Sequence, residues 1–301
     1  LTPTQTSSLG TGRTAVAIGL GNYHTCALLD DASVSCWGYN SHGQLGDGTN
    51  TDRNNPTQTS TLGADRTAVA ISAGTRGTCA ILDDGSVSCW GNNNYGQLGD
   101  GTTTDRNTPT QTGSLGTDRT AVEIAAGNQH ACAILDDGSM SCWGRNSKGQ
   151  LGDGTTTDRT TPAQTSSLGT DRTAVAIATG GFHTCAILDD GSVSCWGNNG
   201  NGQLGVGDNI DLLTPTSTSS LGTDRTSALD STYLPGGGGT SQTACAAGTF
   251  QASTGQSSCT DASAGNYVDS TAGTAQTSQT ACLAGTYNAN TASITSSDCL
   301  D

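Results

Sequence analysis

The sequence predicts an all-β chain built as an array of propeller blades. Trp37, Trp90, Trp143 and Trp196 recur every 53 residues, each inside a copy of one motif, which reads HTCALLDDASVSCWGYNSHGQLGDGT from His24. Self-similarity at such a period marks a repeat architecture. Each copy also contains a hairpin whose register can be counted, and each hairpin carries two cysteines.

In the second copy Cys79 stands opposite Cys89, Ile81 opposite Val87 and Leu82 opposite Ser86, which leaves Asp83, Asp84 and Gly85 as the loop. Three-residue loops of this kind end at positive φ, where glycine is unstrained. Opposed cysteines on antiparallel strands have Cα atoms roughly 4.5–5.5 Å apart, which a disulfide tolerates. Disulfides are therefore expected between Cys26 and Cys36, Cys79 and Cys89, Cys132 and Cys142, and Cys185 and Cys195. Each closes a short loop and contributes about 3 kcal/mol. In the first copy Ala32 takes the place of the turn glycine, at a cost of about 1 kcal/mol.

An alternating stretch, TAVAI at residues 14–18 and 67–71, supplies a strand before the hairpin, and the segment after GQLG supplies one behind it. Four short antiparallel strands make a blade, which is apolar on both faces because neighbours sandwich it. Leu28 and Val34 fit one face, and Leu29 and Trp37 the other.

The recurring histidine, turn glycine, WG, N and GQLG, in that order over about residues 1–226, resemble the repeat of the regulator of chromosome condensation (RCC1) family. The resemblance implies a β-propeller; members of that family close a ring with about seven blades. This chain has four full repeats plus a fragment, since Pro3 lies 53 residues before Pro56 and the chain opens inside a repeat. A processed or truncated end of something longer is expected. Missing blades, a ring closed with another chain, and an open array all fit.

Composition places the blades in residues 1–230 and a Gly-, Ser- and Thr-rich tail in 231–301. The tail carries Cys245, Cys259, Cys282 and Cys299, and TSQTACAAGTF from Thr240 returns 37 residues later as TSQTACLAGTY. It resembles the cysteine-rich repeats of ephrin-receptor-like and tumour-necrosis-factor-receptor-like ectodomains, and is expected to be a small disulfide-stapled domain.

The formal charge is −15 with one lysine, and the arginines sit mostly at repeated positions, so no basic stripe exists for nucleic acid or anionic membrane. The cysteine pairs are too widely spaced for zinc knuckles, and disulfides place the chain outside the cytosol, secreted or attached to a cell surface. His24, His130 and His183 occupy one repeat position, taken by Gly77 in the second copy. A histidine that returns once per blade reads as a strut, no nucleophile stands beside it, and no enzyme is expected. The segments DGTNTD at 47–52 and DGTTTD at 100–105 and 153–158 offer oxygens that suit calcium. The EF-hand pattern is absent, Asp-Gly is an ordinary turn signal, and no cofactor is expected.

The copies differ chiefly in two stretches, one holding Tyr23, Arg76, Gln129 and Phe182, the other Tyr39, His42, Tyr95, Arg145 and Lys148. The first joins strands one and two of a blade and the second joins strands three and four, so both lie on one face. Aromatics and arginines there suit a contact surface, and drift at exposed loop tips would produce the same pattern. The expected function is an extracellular structural or adhesive protein that self-assembles into a fibre or surface layer, its partners being copies of itself or other extracellular proteins and glycans. The alternative is a monomeric secreted protein- or glycan-binding module that uses the loop face.

Overall fold

A computed structural model describes residues 6–219 and four two-residue strands further along the chain. The described residues contain no helix. Blade 1 comprises β1 (Ala15–Leu20), β2 (His24–Leu29), β3 (Val34–Gly38) and β4 (Arg53–Gln58); blade 2 comprises β5 (Ala68–Ala73), β6 (Gly77–Leu82), β7 (Val87–Gly91) and β8 (Arg106–Gln111). Blade 3 follows with β9 (Ala121–Ala126), β10 (His130–Leu135), β11 (Met140–Gly144) and β12 (Arg159–Gln164), and blade 4 with β13 (Ala174–Thr179), β14 (His183–Leu188), β15 (Val193–Gly197) and β16 (Leu212–Ser217). Within each sheet the strands lie in chain order and pair antiparallel.

The counted register is the observed one: Cys79 pairs with Cys89 and Ile81 with Val87. All four blade disulfides are formed, with Cα atoms 4.0–4.1 Å apart, somewhat closer than expected for opposed residues. The turn glycines Gly85, Gly138 and Gly191 have φ of 75–78°, and Ala32 is held at 63° in the same left-handed region. Arginines clamp these turns from the preceding loop. Arg66 pairs with Asp83 and Asp84, and Arg119 with Asp136 and Asp137, and Arg13 and Arg172 repeat the device.

The core lies between blades rather than within them. Leu28, Val34 and the Cys26–Cys36 disulfide of blade 1 pack against Ala80, Leu82 and Trp90 of blade 2. Ile81, Val87 and the next disulfide, on the opposite face of blade 2, pack against Ala133, Leu135 and Trp143. Blades 3 and 4 repeat the arrangement around Trp196. Each of the first three disulfides thus faces the tryptophan of the following blade. That tryptophan seats on a glycine: a Cβ on Gly46, Gly99 or Gly152 would press within 3 Å of the indole of Trp90, Trp143 or Trp196. A side chain there would unseat the next blade.

The chain divides into two compact units, Leu1–Ser227 and Ala228–Asp301. In the second, β17 (Thr249–Phe250) pairs with β18 (Thr260–Asp261), and β19 (Asn266–Tyr267) with β20 (Thr280–Ala281). Cys245, Cys259, Cys282 and Cys299, and with them the expected tail disulfides, lie outside the described residues.

Candidate functional site

A buried asparagine holds each loop between the third and fourth strands from inside. Asn40 Nδ2 donates to Asp47 Oδ1 at 3.2 Å and to the Thr49 and Thr51 carbonyls, while its Oδ1 accepts from the Leu45 N–H at 2.9 Å. Asn93 and Asn146 repeat the clamp on Asp100 and Asp153; at Asn199, where Val206 replaces the aspartate, Nδ2 turns to Asp208. The carboxylates considered for calcium are engaged in this framework: Asp47 meets Arg53 and the Thr49 hydroxyl, each at 2.7 Å, and Asp52 accepts from the Asn40 N–H. Burial alone would raise the Asp47 pKa, but the hydrogen bonds from Thr49 and Arg53 outweigh it and hold the carboxyl below its usual range.

Two of the three repeat histidines, His24 and His130, are struts between blades. His24 Nε2 lies 2.8 Å from Thr78 Oγ1, which itself donates to the Gln44 carbonyl at 2.9 Å. The threonine proton is thereby committed, so the imidazole donates from Nε2. His130 and Thr184 repeat the contact at 2.9 Å. Burial pushes His24 down to about 4 and His130 to about 3, leaving both neutral.

On this frame the structure gathers most of the variable residues into groups, two of which cross blade boundaries. The Tyr23 and Tyr39 rings of blade 1 meet edge to face, with centroids 6.0 Å apart. His42 reaches blade 2, where Nδ1 contacts Asp105 at 2.9 Å and Nε2 faces Arg76 at 3.4 Å. The largest group spans blades 2, 3 and 4. The Arg145 guanidinium lies 4.7 Å from the Tyr95 ring centre and 5.2 Å from that of Phe182, and it donates to Gln129 Oε1 at 2.6 Å. Lys148 stands apart from this group and is paired with Asp211 at 3.0 Å. Among the described arginines, only Arg76 and Arg145 lack a carboxylate partner, and both belong to these loops.

Two of the variable positions disturb the loop frame. In blades 2 and 4 the residue after the WG is asparagine, and Asn92 and Asn198 accept from Gln97 Nε2 at 2.7 Å and Gln203 Nε2 at 2.6 Å. In blades 1 and 3 that residue is Tyr39 or Arg145, and the buried Gln44 and Gln150 Nε2 atoms have no partner among the described residues. A buried donor left unpaired costs about 1–3 kcal/mol.

Sequence reading found the variable residues but not the frame. The asparagine clamp was signalled by an asparagine at the same place after every WG. The threonine of the strut was signalled at the second interface, where the histidine becomes Gly77 and the threonine of the following blade becomes Ala131.

Consecutive four-stranded sheets, packed face to face, define a β-propeller array. The RCC1-like domain profile matches residues 1–252, and the chain belongs to that family. Over 216 residues it is 36% identical to the ultraviolet-B receptor UVR8 of Arabidopsis thaliana, covering 71% of this chain and 48% of the relative. Over 197 residues it is 30% identical to human E3 ubiquitin-protein ligase HERC2, covering 65% of this chain and 4% of the relative. Thus the chain spans about half the length of the first of these relatives and a small part of the second. Solved structures share the fold: yeast RCC1 (Prp20) bound to Kap60 at TM-score 0.62 and 21% identity, covering 73% of this chain and 51% of that one. Human WBSCR16 matches at TM-score 0.61 and 24% identity, covering 68% and 53%.

Proposed function

We propose that this chain is an extracellular interaction protein that works by contact rather than catalysis, with the loop face as its docking surface. Arg145 carries the reading. It replaces the asparagine that would satisfy Gln150, yet it is held between Tyr95 and Phe182, from the blades on either side. Neutral drift has no reason to keep a residue that leaves a buried donor unpaired, whereas contact sites are where such local rules are broken. Arginine and aromatic side chains are also the usual anchors of protein interfaces. The location outside the cytosol is supported by the four disulfides. In the yeast structure, a propeller of this fold is bound to Kap60.

The test is binding of the labelled chain to the surface of cells that produce it. Arg145→Asn should weaken binding by at least about tenfold, as expected of an interface anchor. Arg119→Ala, which removes a clamp on the turn between the second and third strands, should leave it unchanged. Equal binding by wild type and Arg145→Asn would remove the loop face from consideration.

A further inference from the structure

His42 of blade 1 and Arg76 of blade 2 are basic side chains in direct contact, and the groups around them fix the protonation state of the imidazole. Asp105 accepts from the Asn93 N–H at 2.7 Å and so stands fixed in the loop frame of blade 2. Its Oδ2 lies 2.9 Å from His42 Nδ1, and a carboxylate only accepts, so Nδ1 carries a proton. Arg76 Nη1 lies 3.4 Å from His42 Nε2, and a guanidinium only donates, so Nε2 offers its lone pair. The contact therefore requires a neutral imidazole, protonated at Nδ1 alone. Asn92 Nδ2, 3.3 Å from Nδ1, donates to Asp105 instead.

The other charged groups on the elements packed here are engaged elsewhere. On the loop of His42, Arg53 meets Asp47 and Asp52 accepts from the Asn40 N–H; Arg106, on the strand under Gly43, meets Asp100. The third interface supplies the comparison. Lys148 stands there in the place of His42, and Asp211, its partner at 3.0 Å, in the place of Asp105. The position of Arg76 is then held by Phe182, which carries no charge. The permanent cation has an apolar neighbour, whereas the arginine has a neighbour that sheds its charge. Histidine ordinarily gains its second proton within about pH 5–8. On His42 that proton goes to Nε2 and turns an acceptor into a donor. Two cationic N–H groups then face each other across one gap, beside the exposed side chain of Arg76. An oxyanion that accepts from both removes the repulsion.

We propose that His42 and Arg76 form a proton-gated oxyanion site, closed while the imidazole is neutral and open to a carboxylate, phosphate or sulfate group once Nε2 is protonated. The anion accepts from His42 Nε2 and Arg76 Nη1 together, while Asp105 holds the ring in place through Nδ1. Hydrogen bonds between charged partners are roughly twice as strong as neutral ones. Proton and anion bind as a pair, each raising the affinity for the other. The site lies among the variable loops but goes beyond the docking reading above, and its test needs no partner protein.

The experiment follows the His42 ring by NMR across about pH 5–8 in the full chain with disulfides intact, His42→Gln serving to identify its signal. The solutions contain chloride alone, or acetate or sulfate at the same ionic strength, so that screening is equal. Acetate stands for a carboxylate, and sulfate for a phosphate or sulfate ester. In wild type the midpoint of the His42 titration should rise by at least about half a pH unit in one of these salts, a threefold change in the protonation equilibrium. Arg76→Gln should raise the midpoint in chloride, because the repelling cation is gone, and should remove the response to the anion. A response to acetate identifies a carboxylate ligand and a response to sulfate alone a tetrahedral one, and either supports the site. A midpoint indifferent to both salts, an equal rise at every histidine, or an undiminished response in Arg76→Gln would overturn it.

Discussion

Gly77 and Ala131 line one small cavity at the interface of blades 2 and 3, at the positions where His24 and Thr78, and His130 and Thr184, form hydrogen bonds at the other two interfaces. Both members of the strut are absent together. A histidine without its threonine would leave a buried N–H unpaired, and a threonine without its histidine would lose an acceptor role, so joint loss is the less costly change. A Cβ on Gly77 would meet only ordinary contacts, with the Trp90 carbonyl at 3.5 Å and Leu98 at 4.0 Å. Gly77→His with Ala131→Thr should therefore stabilise the chain relative to either single change. The coupling expected from a double-mutant cycle in urea is about 1 kcal/mol. Additive single effects would show that the two positions do not form the strut.

The surviving struts set a pH dependence. His24 and His130 are held near 4 and 3 by burial, whereas the unfolded chain takes up protons on them near 6.5. Between those values the unfolded state binds more protons, so stability is present above pH 6.5 and is lost as pH falls towards 4 and then 3. Each unit is equivalent to about 1.4 kcal/mol per group at most. Carboxylates such as Asp84 and Asp137, held low by the Ser86 and Ser139 hydroxyls, add their losses below the ordinary carboxylate range. Melting temperature measured against pH should fall from pH 6.5 downward in wild type. Replacing both histidines by glutamine should flatten the upper part of that curve, and an unaltered slope would contradict the assignment.

Arg145→Asn should weaken binding yet leave the chain more stable than Arg145→Ala does. The asparagine restores the partner that Asn92 and Asn198 give to Gln97 and Gln203, worth about 1 kcal/mol. Against this, the variant loses the hydrogen bond to Gln129 and the stacking of Arg145 on Tyr95 and Phe182, the stacking worth about 0.5–1 kcal/mol at a partly exposed site, and Arg145→Ala loses both as well. Arg145→Ala forfeits the stacking without satisfying Gln150. The asparagine variant should therefore melt above the alanine variant, and the reverse order in a thermal scan would remove the argument that Arg145 is kept for contact.

What was legible in the sequence lies within one blade. Cys79, Ile81 and Leu82 count off against Cys89, Val87 and Ser86 because a hairpin fixes its own register, and Gly85 marks the turn because only positive φ closes it. Contacts between blades were not legible, because nothing local joins Arg145 to Tyr95, 50 residues earlier, or His24 to Thr78. Those pairs follow from the rotation between sheets, which the repeat length does not state. The asparagine clamp was hidden for the opposite reason: an asparagine after WG reads as loop polarity until its side chain is found buried.

At the first hairpin, Ala32 is held at φ 63° where the other copies have glycine at 75–78°. A Cβ in the left-handed region strains the backbone, so Ala32→Gly should stabilise the chain by about 1 kcal/mol. The converse change, Gly85→Ala, adds a clash with the Thr120 side chain to the same strain and should cost more than that. Urea denaturation of the two variants beside wild type decides it. Equal and opposite effects would mean that only φ matters, and no effect at Ala32 would mean that its disulfide relaxes the turn.

Reduction of the blade disulfides should proceed in a set order. Cys26, Cys79 and Cys132 are at most 2% exposed beneath the tryptophan of the next blade, whereas Cys185 is half-buried on the outer face of blade 4. Thiol exchange needs a thiolate to reach the sulfur, so access sets the rate when the bonds are otherwise alike. Mass spectrometry of peptides alkylated after brief exposure to a dithiol should find Cys185 and Cys195 modified first. The three inner pairs should follow only as the blades unfold, at a rate that tracks global unfolding. Losing one bond removes about 3 kcal/mol by the loop-closure argument, so opening the outer pair should lower the melting temperature before any inner pair reacts. Simultaneous reduction of all four pairs would show that the outer face is as well covered as the inner ones.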